Sequence, residues 1–348
     1  MTFAEARALF PVLERVAYLN AGTFGPLARP TLDSMQAELT TDCDRGRHGK
    51  EYFERMLDLR DQLRTRLAAL VRVEPAQVAL TSSTTESCNV VLAGFGLGPE
   101  DEVVTTAEEH FGLLGPLHAS GARVVVAPAE PEAILAAVTP RTRLLAVSQV
   151  TWTRGATLPV RELRERGGLP VLVDGAQSVG AIPVDASGLD YLTISGQKWL
   201  CGPDATGALV IADPERLRVA RPSYFAQTSY EPHGAFVPRE GAARFDPGWV
   251  PTASLVGLLT ALELPPDWRY EHARRQAQRL RELLAPRVEL TDGDATLVSF
   301  QADDPPALVT QLAEADVVVR ELPGTGLVRA SCGWWTSDED LERLVAAL

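Results

Sequence analysis

The chain has 348 residues, of which 45% are hydrophobic and 23% are charged, with a formal net charge of −13. This length can bury a large core and suggests two or three domains, and the composition is typical of a globular protein. The acidic balance argues against a nucleic-acid or anionic-membrane partner, because binding phosphate groups needs a basic surface.

No apolar run approaches the length of a transmembrane helix, and the N-terminal residues lack the apolar core of a signal peptide. Four cysteines are scattered without a CxxC pair or a histidine at metal-ligand spacing. We therefore expect no metal site and no disulfide framework, and a cytoplasmic location by default.

The first 71 residues combine helical patterns with one glycine-rich loop. Helices are predicted over residues 3–9 and 30–40, with a polar stretch over 41–50 and a long amphipathic helix over 52–71. Between the first two helices lies YLNAGTFGPL, residues 18–27, with two glycines and a proline. Such a loop is either an active-site wall that the backbone approaches closely or an ordinary turn.

A run of five hydroxyl residues, Thr81 to Thr85, connects a short strand (78–80) to a helix (87–95). Hydroxyls and backbone N–H groups at a helix start can bind an anion. Simple N-capping needs only one Ser or Thr, so the excess of hydroxyls favours a phosphate site.

The chain then alternates strands and helices. Strands are predicted at 101–105, 123–127 and 144–148, and helices at 132–138 and 160–166. His110 lies in a predicted loop, AEEHFGLLGPL, after the first of these strands, and Gln149 begins the loop after the third. In open α/β sheets such positions face the ligand crevice.

The stretch 171–203 carries the central pair of residues. A strand at 171–173 ends in Asp174, and a second strand at 191–194 is followed by Ser195, Gln197 and Lys198. This arrangement suits pyridoxal phosphate (PLP): the lysine forms a Schiff base with the aldehyde, and the aspartate pairs with the pyridinium nitrogen. Alternatively, Asp174 caps a turn and Lys198 is a surface lysine. Because all the candidate residues follow strand ends on one side of a mostly parallel sheet, we favour the cofactor site.

The remaining third contains an irregular segment and a second α/β region. Residues 220–251 are rich in Gly, Pro and aromatic residues and are interpreted as a lid or a subunit contact. A basic amphipathic helix is predicted over 268–284, with its charges solvated. Residues 297–348 alternate strands (297–300, 317–320, 327–331) with helices (306–314, 337–347).

Motifs along nearly the whole chain resemble the class V aminotransferase group of fold-type I PLP enzymes, which includes cysteine desulfurases, cystine C–S lyases and isopenicillin-N epimerase-like proteins. The motifs are YLNAGTFGP, SSTTES, EEH, VSQVTWTRG, VDGAQS, SGQKWLCGP, RFDPG and LVRAS. The resemblance implies a mostly parallel central sheet with helices on both faces. It also implies a large PLP-binding domain (15–255), a smaller C-terminal α/β domain (256–348, with residues 1–14 nearby) and a homodimer.

The resemblance assigns a role to each site residue. Lys198 is similar to the Schiff-base lysine, Asp174 to the partner of the pyridine nitrogen, and His110 to the histidine that stacks on the ring and handles protons. The further cofactor contacts that it implies are Thr84, Thr85, Gln177, Ser195 and Gln197. The implied substrate contacts are Arg329, which would hold the α-carboxylate, and Gln149, Thr23, Trp152 and Arg154.

Three departures narrow the chemistry. Desulfurases carry a nucleophilic cysteine on a mobile loop before the carboxylate-binding arginine, but residues 320–326 form a short link with no cysteine. Trp249 stands where the family has a threonine that reaches the neighbouring subunit's phosphate. Arg154 is unusual and is interpreted as a contact for a second anionic group.

These features favour α,β-elimination, a C–S lyase reaction, on cystine, cysteine or an S-substituted cysteine. A class V aminotransferase or an epimerase is the alternative, since both begin with the same removal of the α-proton. Two further possibilities are a cysteine desulfurase without a loop cysteine and a non-catalytic binding module.

Overall fold

The computed structural model describes residues 1–348, which form eleven α-helices and twelve β-strands. The helices are α1 Phe3–Ala8, α2 Arg29–Arg45, α3 Gly49–Val71, α4 Thr84–Phe95, α5 Phe111–Ala119, α6 Pro131–Ala136, α7 Val160–Gly167, α8 Thr252–Glu263, α9 Arg269–Leu284, α10 Pro305–Glu314 and α11 Asp338–Ala346. The strands are β1 Ala17–Tyr18, β2 Val78–Thr81, β3 Glu102–Thr106, β4 Arg123–Ala127, β5 Thr142–Ser148, β6 Val171–Asp174, β7 Tyr191–Ser195, β8 Gly207–Ile211, β9 Leu297–Gln301, β10 Val317–Val318, β11 Arg320–Leu322 and β12 Leu327–Ser331. No helix is long and apolar enough to cross a bilayer.

Seven strands form the central sheet in the order β2-β8-β7-β6-β5-β3-β4. Strand β8 runs antiparallel to both of its neighbours, β2 and β7, and every other pair is parallel. Strand β2 is therefore parallel to β7, so the carboxyl ends of β2, β3, β5, β6 and β7 lie along one edge. The predicted mostly parallel sheet is confirmed.

Both faces of this sheet are covered because its strands are apolar at consecutive positions. In β5, Leu145 and Val147 pack into the core beneath α3, α7 and α8, whereas Leu144 and Ala146 face the core beneath α4 and α5. Each strand thus contributes to two cores, as expected for helices on both faces.

A separate antiparallel sheet in the C-terminal part of the chain has the order β11-β12-β9. Helices α9, α10 and α11 cover it, and its core also takes in Ala17 and Leu19 from the N-terminal part of the chain. This happens because β1 pairs in parallel with β10, Ala17 opposite Val317. The β1 segment therefore delivers the glycine-rich loop that follows it to the junction between the two sheets.

Two local predictions were wrong. Residues 111–119, predicted as loop, form helix α5; Gly112, Gly115 and Pro116 are unfavourable in helices, but His110 caps the helix by accepting the N–H of Gly112 at 3.0 Å. The predicted strand 317–320 is two short strands, β10 and β11, which belong to different sheets. The polar stretch 41–50, for which no element was predicted, is mostly helical, since α2 extends to Arg45 and α3 begins at Gly49.

Candidate active site

Strand β6 ends in Asp174, whose side chain is buried at the carboxyl edge of the sheet. Its Oδ1 accepts the N–H of Ala176 at 2.9 Å and the hydroxyl of Thr193 at 3.1 Å. Its Oδ2 has no hydrogen-bond partner in the protein. A buried carboxylate that is oriented by two donors and keeps one oxygen free can pair with a cationic nitrogen.

Lys198 lies in the turn after β7, where the glycine-rich loop packs against it. Gly25 donates its N–H to the carbonyl of Gln197 at 2.8 Å, and a Cβ added at Gly25 would lie 2.1 Å from the carbonyl oxygen of Lys198. Only glycine allows this approach. The Lys198 ammonium is in no ion pair, and burial lowers its pKa to about 8, as do Arg329 and Arg320, while Asp174 opposes the shift.

Gln177 and Trp199 fix the floor of the site between Asp174 and Lys198. Trp199 Nε1 donates to Gln177 Oε1 at 3.0 Å, and Gln177 Nε2 donates to the carbonyl of Gly22 at 2.9 Å. An amide nitrogen carries two hydrogens, so Gln177 keeps one donor for a ligand oxygen. Ser195 donates its hydroxyl to Gln197 Oε1 at 2.8 Å, which leaves the Gln197 amide nitrogen free to donate.

Four of the five hydroxyl residues at the start of α4 divide into two groups. Thr81 bonds the hydroxyl of Ser87 at 2.9 Å, and Ser83 is the N-cap, accepting the N–H of Glu86 at 3.1 Å. The hydroxyls of Thr84 and Thr85 make no hydrogen bond to protein, although Thr84 is buried. The first group builds the helix start, and the second is left for an anion at its positive end.

His110 is a neutral ring in this structure. Its Nδ1 accepts the N–H of Gly112, which places the ring proton on Nε2. Burial, assisted by Lys198 and Arg329 and opposed by Asp174, lowers its pKa to about 4. The Trp152 ring meets it edge-on, with centroids 5.2 Å apart. The imidazole can therefore stack on a ring or donate from Nε2, but it carries no charge near neutral pH.

Two arginines face each other across the β11–β12 hairpin, Arg320 directly opposite Arg329. Arg329 is 2% exposed; its Nη1 donates to the carbonyl of Trp152 at 2.7 Å, and its Nε is buried without a partner. Arg320 donates to the hydroxyl of Thr23 at 3.2 Å. Neither guanidinium has a carboxylate partner, and burial together with Arg320 lowers the pKa of Arg329 to about 9. Adjacent cations without counter-ions indicate an anion site.

Sequence reasoning did not assign Arg320 to the site, nor Asn20 or Glu109. A hairpin register drawn through the four-residue turn from Pro323 to Gly326 would have paired Arg320 with Arg329. Asn20, in the glycine-rich loop, has a buried Oδ1 without a partner. No sequence signal we can identify pointed to that atom.

Glu109 is a buried carboxyl that joins the ends of β3 and β5 beside His110. It accepts the hydroxyl of Thr106 at 2.7 Å and the N–H of Ser148 at 3.0 Å, and burial raises its pKa to about 7. Its position directly before His110 makes it a structural support for that residue. The EEH motif contained Glu109, but its partner Ser148 lies on a different strand, β5.

Of the predicted substrate contacts, Trp152 and Thr23 adjoin Arg329 and Arg320 through the hydrogen bonds described above. Gln149 has a buried Oε1 without a partner. Arg154 makes ion pairs with Glu108 at 2.5 Å and Asp292 at 3.0 Å. Its contact with a substrate stays a prediction, and these carboxylates would compete with any substrate anion.

These residues fit pyridoxal phosphate. Asp174 offers a free oxygen for the ring nitrogen, Gln177 a free N–H for the phenolic oxygen, and Thr84 and Thr85 free hydroxyls for the phosphate. Lys198 would hold the aldehyde. When bound, this cofactor accepts the electron pair released at the α-carbon of an amino acid.

Comparisons with known proteins agree with this chemistry. The family model for aminotransferase class-V matches residues 17–344. The isopenicillin N epimerase of Streptomyces clavuligerus is 28% identical, and the match covers 99% of this chain and 97% of that protein.

Solved structures are similar over the same length. A C-DES variant with glycine covalently linked to the PLP cofactor has a TM-score of 0.92 at 28% identity and covers 98% of both chains. The complex of the cystine C–S lyase C-DES with its product cysteine persulfide also has a TM-score of 0.92, at 27% identity and with 97% of this chain and 98% of that chain covered. The cysteine desulfurase CsdA from Escherichia coli has a TM-score of 0.86 at 25% identity, with 100% of this chain and 97% of that chain covered. The chain therefore belongs to the class-V aminotransferase family and is a pyridoxal-phosphate-dependent enzyme that acts on amino acids.

Proposed function

We propose that the enzyme is a C–S lyase that carries out α,β-elimination on cystine, cysteine or an S-substituted cysteine. The observation that carries this proposal is the tight turn between β11 and β12, residues 323–326, which contains no cysteine. Persulfide formation on the enzyme requires a reactive thiol beside the substrate, whereas elimination requires only a base and an electron acceptor.

None of the four cysteines supplies that thiol. Cys88, Cys201 and Cys332 are buried, and burial raises the pKa of each, for Cys332 to about 12. Cys43 is exposed, but it lies near the end of helix α2, away from the strand ends that form the site. A thiolate nucleophile is therefore missing from the site.

The chain's own residues account for the elimination. Arg329 binds the α-carboxylate and fixes the amino acid, and Lys198 takes the α-proton onto Nζ. The β-carbon–sulfur bond then breaks, its electrons leave with the thiolate or persulfide, and a double bond forms between the α- and β-carbons. Hydrolysis of the released enamine gives pyruvate and ammonia. Because burial lowers its pKa to about 8, Lys198 gives up its proton much closer to neutral pH than an ordinary lysine does.

The similarity to the cystine C–S lyase C-DES over almost the whole chain supports this reaction. An aminotransferase or epimerase is the second candidate, favoured by the full-length similarity to isopenicillin N epimerase. A desulfurase without a loop cysteine is disfavoured by the absence of a reactive thiol.

Pyruvate release tests the proposal. The purified, PLP-loaded enzyme is incubated with cystine, cysteine and S-methylcysteine, and pyruvate is measured with lactate dehydrogenase. We expect pyruvate from at least one of them, and none from Lys198→Ala. Chiral chromatography and the absorbance of the pyridoxamine form, measured on the same samples, would reveal an epimerase or an aminotransferase. Inversion or amino transfer without pyruvate would overturn the lyase proposal.

A homodimer is part of the proposal. Trp249 is 67% exposed and stacks with Tyr224 at 5.9 Å, and Tyr224 stacks with Tyr230 at 4.6 Å. Exposed aromatic clusters of this kind are typical of subunit contacts. Sedimentation of the wild type and Trp249→Ser tests the dimer, and a wild-type monomer would refute it. The cytoplasmic location also stays a proposal, to be checked by cell fractionation.

A further inference from the structure

Residues 151–157, which we call the interdomain loop, continue from strand β5 but bond to the small-domain side of the molecule. The carbonyl of Gly155 accepts the N–H of Ala295 at 2.9 Å. The carbonyl of Arg154 accepts the hydroxyl of Thr291 at 3.2 Å, and the carbonyl of Thr153 accepts the hydroxyl of Ser299. The loop therefore joins the large sheet to the segment around β9.

Two glycines make this contact unusually close. Gly155 has φ +73°, and a Cβ there would lie 2.8 Å from the Leu297 side chain. A Cβ at Gly293 would lie 1.9 Å from the carbonyl oxygen of Arg154. Neither position accepts a larger residue without moving the backbone, so the loop and the small domain are built to touch.

Trp152, in the same loop, contacts two residues of the active site. Its carbonyl accepts Arg329 Nη1 at 2.7 Å, and its ring lies edge-on to His110 at 5.2 Å. The position of the interdomain loop thus determines where two side chains lie, namely the guanidinium of Arg329, which would bind the carboxylate, and the ring of His110, which would face the cofactor. A displacement of about 1 Å at such contacts is enough to impair catalysis strongly.

Arg154 fastens the loop on its outer side. Its Nε donates to Glu108 Oε1, two residues before His110, and Thr153 donates its hydroxyl to the other Glu108 oxygen. Its Nη1 contacts both oxygens of Asp292, at 3.0 and 3.1 Å, on the small-domain side. One guanidinium therefore ties together the loop, the segment before His110 and the small domain.

We infer that Arg154 is a positioning residue, which holds the interdomain loop between Glu108 and Asp292 so that Trp152 places Arg329 and His110. It acts through Trp152 and does not bind substrate, because Glu108 and Asp292 engage its Nε and Nη1, and its Nη2 lies 3.8 Å from a third carboxylate, Glu130. The inference rests on the proposed function in one respect, namely that Arg329 binds the carboxylate of the amino acid.

Steady-state kinetics on the holoenzyme separate the two roles. Arg154→Met should raise KM by about 2- to 30-fold, the range for residues that act at a distance. S-methylcysteine, with one carboxylate, and cystine, with two, should be affected by the same factor. Arg154→Lys should restore part of the loss, and Asp292→Asn should add little in the Arg154→Met background. A matched control is Arg143→Met, which removes an exposed ion pair with Asp101 at the opposite end of β5.

Hydrogen exchange gives a readout without turnover. Amides of residues 151–157 and 295–299 should exchange faster in Arg154→Met, while those of β6 and β7 should be unchanged. A KM increase confined to cystine would overturn the inference in favour of direct substrate binding, and unchanged exchange with unchanged KM would overturn it outright. If no tested substrate is turned over, faster exchange still supports the loop attachment, and only the proposed reaction fails.

Discussion

Arg329 is the residue whose replacement should raise stability and abolish function together. Its guanidinium is 2% exposed, has no carboxylate partner and stands opposite a second arginine. We expect Arg329→Met to stabilise the ligand-free protein, because methionine fills similar volume without a charge that must be desolvated. The same variant should lose binding of amino-acid carboxylates.

The pKa of Arg329 sets the scale of this effect. Lowering it from the ordinary 12.5 to about 9 corresponds to roughly 5 kcal/mol against the charged form, an upper limit because a real site relaxes. Removing the charged donor also leaves the carbonyl of Trp152 unpaired, which costs about 1.5–3 kcal/mol. The balance is a gain of roughly 2 kcal/mol, or about 3 °C in Tm for a chain of this size.

Thermal unfolding at pH 7.5 measures the gain, with Arg143→Met as a surface control that should change Tm little. Since the folded-state pKa of Arg329 lies below its unfolded value, the penalty is fully present below pH 9. It fades as the pH rises through about 9, so the advantage of the variant should shrink there. A lower Tm for Arg329→Met at pH 7.5 would show that the protein alone satisfies this guanidinium, and our assignment of an anion site would be wrong.

Three other predictions follow from the protonation states. In the cofactor-free protein, the rate at which Lys198 reacts with an amine reagent should rise with pH with a midpoint near pH 8. Asp174→Asn should lower this midpoint, because Asp174 raises the pKa of Lys198. An unshifted midpoint would contradict the placement of Asp174 beside Lys198. With its pKa at about 4 before substrate binds, His110 should add no step between pH 6 and 7 to the profile of kcat/KM, which reports the free enzyme, and His110→Phe should retain more activity than His110→Ala. Cys43 alone should react quickly with a thiol reagent in the native protein, and Cys43→Ser should keep full activity; inactivation by the reagent would point to a second accessible thiol.

The sequence allowed the carboxyl edge of the sheet to be predicted because strand ends are local features. Short strands with apolar residues, each followed by polar residues, located Asp174, Lys198 and His110 on one edge. The antiparallel direction of β8 left that edge intact, since β2 and β7 remain parallel. Local patterns were sufficient wherever the site residue directly follows its strand.

Pairings between distant segments could not be predicted in the same way. The ion pair between Arg154 and Asp292 could not be predicted, because Asp292 lies 138 positions further along the chain. Arg320 of β11 was described only as part of the short segment 320–326, because its place opposite Arg329 depends on the register between β11 and β12. Helix α5 was not predicted because its two glycines and its proline have low helix propensity, and the stabilising N-cap that His110 provides is not evident from the sequence.

Burial and the unpaired arginines act together on the protonation of the residues beside them. Burial is the largest cause that lowers the pKa values of Lys198 and His110, Arg329 and Arg320 add to it, and Asp174 opposes the shift. The two cations therefore reinforce an environment that already favours the unprotonated amine and the neutral imidazole before any ligand arrives. A carboxylate bound between the arginines screens this field, so both pKa values should rise with the substrate in place. Substrate binding and proton transfer are thus coupled through the same pair of charges, and an uncharged replacement at either arginine should disturb both at once.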